Sequence, residues 1–61
     1  MKFIKITKKG LNENSVELLQ VDRIVNVWSC VGGGTGIATV DEKQIYITEP
    51  FETICSKLEV V

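Results

Sequence analysis

Histidine is absent from this chain. Only lysines and carboxylates are then left to activate Cys30, Cys55 or a serine as a nucleophile. The adjacent carboxylates Asp41 and Glu42 stand in a turn-like stretch, where water keeps such groups at ordinary pKa values. No catalytic residues are therefore expected, and the chain is not read as an enzyme. There is no Cys-x-x-Cys pair, and two cysteines with no histidine do not make a zinc site. Neither a metal nor a cofactor is expected. No run approaches the roughly 20 apolar residues of a membrane span. Residues 1–7 carry Lys2 and Lys5 and no long apolar core, so no signal peptide is expected. Both cysteines then read as reduced, apolar filling in a cytoplasmic protein. Basic surplus is missing too: seven Lys and Arg face eight Asp and Glu, for a net charge of −1. A chain built to grip phosphate backbone usually shows the opposite balance.

What is present is a short, β-rich chain. Sixty-one residues make one domain, residues 1–61. A domain of this size buries only about 60% of its unfolded surface and usually needs a staple or a partner. With disulfides and metals set aside, a homo-oligomer is expected, most simply a dimer. Residues 3–7 alternate, with Ile4 and Ile6 on one face and Phe3, Lys5 and Thr7 on the other. Lys2, Lys5, Lys8 and Lys9 read as the solvated side of an edge strand, where lysines discourage aggregation. The alternative is a weak nucleic-acid or nucleotide patch. Gly10, Asn12 and Asn14 mark a loop or wide hairpin over residues 8–14. Residues 15–21 fit either a short helix or a strand, and their length favours a strand. Val21, Asp22 and Arg23 then form a tight corner.

Residues 24–31 are the most β-prone run. Ile24, Asn26, Trp28 and Cys30 share one face; Val25, Val27, Ser29 and Val31 share the other. Both faces are largely apolar, so this strand is expected at the centre, covered on both sides. Residues 32–36 form a glycine-rich connection, and residues 37–40 and 44–48 a hairpin about residues 41–43. A helix over residues 49–58 follows. Pro50 suits its first position, and Thr48 or Glu49 its N-cap. Phe51, Ile54, Cys55 and Leu58 make one apolar stripe, with Glu52, Thr53, Ser56 and Lys57 on the wet side. The expected fold is α+β: a small twisted antiparallel sheet of four to five strands, its closure into a partial barrel left open, with one C-terminal helix.

The string of Gly32, Gly33, Gly34, Thr35 and Gly36 resembles the phosphate-binding loop of the tubulin and FtsZ family. Ile37 and Ala38 stand where that signature runs on to a further glycine. A Walker ending of Gly-Lys-Ser/Thr is also missing, and a dinucleotide fingerprint would be followed by a helix rather than a strand. The stretch reads as a flexible β-connection, with a backbone nest for an anion or small ligand as the alternative.

A wider likeness runs through Ile4–Lys5–Ile6–Thr7, Ile24–Val25–Asn26–Val27, the segment from Lys43 to Glu49, and Phe51–Glu52–Thr53–Ile54. These resemble the FlbD/SwrD group of small bacterial flagellar proteins. That group runs from an N-terminal strand ending in threonine to an aliphatic central strand, a lysine turn, a further strand and a C-terminal helix. Glu42 replaces the group's hairpin glycine, the asparagine-bearing segment is longer, and the glycine run is additional. The resemblance implies the same topology and a small regulatory protein of flagellar context; similar patterns occur in phage and mobile-element proteins.

The leading expectation is a non-enzymatic interaction module that binds another protein through Val25, Val27, Trp28 and Tyr46, with the glycine loop beside them. The alternative is a small-ligand or nucleotide-sequestering oligomer using Gly32, Gly33, Gly34, Thr35, Gly36 and Lys5. A weaker alternative is RNA or single-stranded DNA binding on Tyr46 and the lysines.

Overall fold

The computed structural model describes residues 2–59; Met1, Val60 and Val61 lie outside them. The elements are β1 (Phe3–Lys8), β2 (Ser15–Gln20), a single 3-10 turn (Val21–Arg23), β3 (Ile24–Ser29), β4 (Thr35–Thr39), β5 (Gln44–Ile47) and α1 (Phe51–Leu58). Every strand pairing is antiparallel. The architecture is thus α+β, an antiparallel five-stranded sheet with one C-terminal helix, and the sheet does not close. Residues 15–20 are strand, and Val21–Arg23 is the expected corner.

The strand order is β2-β1-β5-β4-β3. It overturns two expectations. The apolar strand β3 stands at an edge, not at the centre, and the lysine-bearing β1 lies inside the sheet, not at its edge. The centre goes to β5, a strand of only four residues. Pairing partners decide this. β4 is gripped on both sides, with Ile37 opposite both Val27 and Ile45.

The order also forces the sheet to coil. Strands β2 and β3 lie at opposite edges yet are joined by three residues. Four Cα steps from Gln20 to Ile24 reach at most about 15 Å. A flat sheet would hold those edges about 19 Å apart. Coiling gathers one face into the core: Ile4, Ile6, Ile37, Ile47 and Ile54 are buried, with Leu19, Val21, Ile24, Val27, Ile45 and Leu58 packed around them. A register shift between Ile24 and Asn26 bulges β3. The bulge lets both Ile24 and Val27 reach that core, where strict alternation would have parted them.

The β1–β2 hairpin is joined to β5 near one end only. Lys8 pairs with Ile47, Lys9 N–H donates to Tyr46 C=O, and Thr48 N–H donates to Thr7 C=O. Beyond that point β1 leaves β5 and side chains take over. Thr7 N–H donates to Glu49 Oε1 at 2.9 Å, and Lys57 Nζ donates to Lys5 C=O at 2.6 Å. Lys57 was expected on the wet side; its long stem instead lies half-buried against the strand. Glu49 was a candidate N-cap. Its carboxylate is taken by β1, and Pro50 occupies the N-cap with no side-chain bond. Ile54 is the fully buried residue of the helical stripe; Phe51, Cys55 and Leu58 are half-buried. The two cysteines are unbridged.

Partial burial works against the charge on Glu49. The Thr7 N–H, the residue's own N–H, the Thr7 hydroxyl and the Lys57 ammonium together outweigh it, so the carboxyl titrates below its ordinary value of 4.5. The stability carried by this depressed carboxylate is fully present above the ordinary value. It is lost as the pH falls through the lowered one. Thermal unfolding followed from pH 7 into acid should show the midpoint dropping, and Glu49→Gln should make that drop shallower. Parallel curves for the two proteins would remove Glu49 from the acid response.

Candidate functional site

Three strands bring one row of residues together on the face opposite the core. Trp28 on β3 stands opposite Gly36 on β4, and Gly36 stands opposite Tyr46 on β5. Neighbouring Ile37 is fully buried, so alternation turns this row outward. Gly36 is what allows it. A Cβ there would lie 2.2–2.5 Å from Trp28 Cε2, Cζ2 and Nε1, so the indole rests on bare backbone. An aromatic laid over a glycine restores the packing that the missing side chain gives up. Tyr46 meets the indole edge-on, with ring centroids 6.2 Å apart and planes at 83°, a favourable aromatic geometry. Its hydroxyl donates to Gln44 Oε1 at 3.2 Å. Trp28 is half-buried and Tyr46 exposed. Lys9 continues the row past Tyr46, through its N–H bond to the Tyr46 carbonyl.

The four residues expected to bind a partner are thus divided. Trp28 and Tyr46 form one preorganised surface. Val27 faces Ile37 and belongs to the core periphery. Val25 is exposed at the bulge. Plain alternation parts Val27 from Trp28, whereas the register change between Ile24 and Asn26 parts Val25 from Val27, and no local pattern in the sequence announces a bulge there.

The glycine stretch is divided as well. Gly32, Gly33 and Gly34 have φ of 89°, 105° and 83° and form the true connection. Thr35 and Gly36 already belong to β4. Thr35 is fully buried, and its hydroxyl donates to Glu49 C=O at 2.7 Å. Lys5 lies instead in β1, where its main-chain carbonyl accepts from Lys57 Nζ and its side chain is exposed. Lys9 is the lysine at this loop, with Nζ 3.0 Å from where a Cβ on Gly34 would sit. The sequence pointed to a lysine near the glycines but not to this one, because the pairing of Lys9 with β5 is a long-range contact. An open cleft of about 250 Å³ lies between the loop and the start of α1, lined by Ser29, Gly33, Gly34, Pro50, Phe51 and Glu52. Backbone N–H groups at a helix start suit an anion, but Glu52 sets a carboxylate at the rim.

Several of the remaining charges form surface pairs. Lys2 pairs with Glu59 at 3.3 Å. Alternation along β1 places Lys5 and Lys8 on opposite faces, so the four lysines do not make one patch. Asp41 accepts a hydrogen bond from the Thr39 hydroxyl and lies near Arg23 (3.5 Å) and Lys43 (3.9 Å). The Thr39 hydroxyl bond above all, with help from the residue's own N–H and then from Arg23 and Lys43, holds its carboxyl below the ordinary value against desolvation. A general acid at neutral pH needs the opposite shift. Among the described residues no group of three or more His, Cys, Asp or Glu side chains gathers to hold a metal. No helix among them is long and apolar enough to cross a membrane. The chain matches no family model, no curated protein and no solved structure.

Gly36→Ala tests how the aromatic row is held. The new methyl must push the indole off the sheet, an overpacking cost of about 1–3 kcal/mol. Trp28 is the sole tryptophan, so its fluorescence reports the site alone. Denaturant unfolding should give a lower midpoint, and emission of the folded protein should shift to the red. An unchanged spectrum and midpoint would show that the ring does not rest on Gly36.

Proposed function

We propose that this chain is a small non-enzymatic interaction module that binds another protein through the Trp28–Tyr46 row, with exposed Val25 on the neighbouring edge strand. The observation that carries the reading is the indole seated on Gly36 and braced edge-on by Tyr46. Rigid aromatics placed in advance lose little entropy on binding and are the residue types that anchor interfaces. The likeness of the strands to FlbD/SwrD flagellar proteins supports a regulatory role in a bacterial cytoplasm, with a phage or mobile-element setting as the other context. Tyr46→Ala removes half of the row at an exposed position and leaves the core intact. Immobilised wild-type protein should retain a specific partner from bacterial extract, and Tyr46→Ala, still folded by thermal melt, should retain at least about tenfold less, the worth of an anchor of about 1.4 kcal/mol. Equal retention by both would remove the aromatic row from binding.

The cleft between Gly33, Gly34 and the start of α1 favours a second reading, a small-ligand or nucleotide binder. There, a nucleotide panel should raise the melting temperature of wild type and not of Gly33→Val. No rise with any nucleotide would dispose of it.

A further inference from the structure

The two edges of the sheet are finished differently. Edge strands carry unpaired N–H and C=O groups, and proteins blunt them with bulges, lysines, prolines or side-chain caps. Edge strand β3 is blunted. It carries the bulge between Ile24 and Asn26. The N–H of Val27 is capped by Asn26 Oδ1 at 3.0 Å.

Edge strand β2 has none of these devices. It pairs with β1 in unbroken register over six residues. Its sequence, Ser-Val-Glu-Leu-Leu-Gln, holds no lysine or proline, and Glu17 is its one charge. Val16 is 62% and Leu18 69% exposed. The direction of its free backbone groups follows from the ladder. The odd residues of β1 bond on the side away from β2: Thr7 to Thr48 and Glu49, Lys5 to Lys57, and, just past the strand, Lys9 to Tyr46. Ile4, Ile6 and Lys8 therefore bond to β2, through Leu19, Glu17 and Ser15. In an antiparallel strand the alternate residues then point the other way. The N–H and C=O groups of Val16, Leu18 and Gln20 face the open edge.

We propose that β2 is a self-association edge: it pairs antiparallel with β2 of a second copy of this chain about a two-fold axis at Leu18. This deepens the self-association expected of so short a chain and is independent of the aromatic row. In a two-fold antiparallel ladder one residue must stand opposite its own copy. Only a residue with outward backbone groups can exchange both bonds there. With Leu18 on the axis, Leu18 meets Leu18 of the second copy, Val16 meets Gln20, and Gln20 meets Val16. Each of these pairs exchanges both hydrogen bonds. Glu17 meets Leu19 rather than itself. Shifting the axis to Glu17 would set two carboxylates directly opposite, which is destabilising. Charge disfavours the Glu17 axis, and Leu18 is the axis that keeps three bonded pairs within Ser15–Gln20. On the outer face it joins Leu18 and Val16 of both copies into one apolar strip beside Phe3, itself 49% exposed.

Area sets the strength. A six-residue edge is about 20 Å long, and a single paired edge buries less than the roughly 1,200 Å² of a stable interface. The dimer is a weak one that forms and dissociates with concentration.

Sedimentation equilibrium on the intact chain tests this, from about 10 μM to about 1 mM, the range in which a weak complex is populated. Wild type should rise from the monomer mass toward twice that mass. Leu18→Lys, at an exposed position and checked as folded by its melt, should stay monomeric throughout. Val25→Lys, on the other edge, should behave as wild type. Amide exchange should slow with concentration at Val16, Leu18 and Gln20, and not at Glu17. A wild type monomeric at about 1 mM, dimers of Leu18→Lys, or dimers abolished by Val25→Lys would each overturn the proposal. None of these outcomes bears on partner capture by Tyr46, which fails or holds separately.

Discussion

A three-residue connection between the two edges of the sheet governs this fold. Val21–Arg23 must carry the chain from β2 to β3, and it is too short to cross a flat five-stranded sheet. The sheet must coil. Coiling turns Ile4 and Ile6 of the hairpin toward Ile37 and Ile47 of the central strands, and α1 sets Ile54 among them. The corner is secured from both sides, by Val21 N–H on Lys2 C=O and by Val40 N–H on Arg23 C=O. Arg23 adds its exposed pair with Asp41, a contact that water and salt screen heavily.

Coiling has a cost at the seam between β1 and β5. The strands part after Lys8 and leave backbone groups of β1 without a ladder. Glu49 and Lys57, flanking and within the helix, supply charged partners for two of them. Such bonds are stronger than neutral ones. The helix thus serves as apolar filling through Ile54 and as a substitute strand through the groups around it. Thr35 completes the junction by donating to the Glu49 carbonyl. The segment that turns into the helix is held by both its side chain and its main chain.

On the other side of the sheet the row of Trp28, Gly36 and Tyr46 shows how a missing side chain shapes a surface. Gly36 opens a place on the backbone, the indole fills it, and Tyr46 braces it. The proposed partner surface and the proposed self-pairing edge use different strands, β3 to β5 for one and β2 for the other. The sheet can in this way serve two contacts without competition. The bulge and the Asn26 cap protect the β3 edge from strand pairing beside the aromatic row.

The sequence by itself determined the elements. Period-two alternation located β1, turn residues located the hairpins, and the stripe of Phe51, Ile54, Cys55 and Leu58 located the helix. These signals are local, and local backbone preference carries them. The strand order was decided only in three dimensions. An apolar run on both faces of β3 suggested a central strand, but its register bulges and one side remains open. Lys57 looked solvent-bound until β1 parted from β5 and left Lys5 C=O in reach. Gly36 read as loop because a glycine in a strand looks like a break; only the indole across the neighbouring strand makes it a strand residue. Trp28 and Tyr46 were legible as interface types, whereas their meeting over Gly36 depended on the pairing of β3, β4 and β5. Pairing between strands distant in sequence is a sum of many weak contacts, and no single stretch of the chain encodes it.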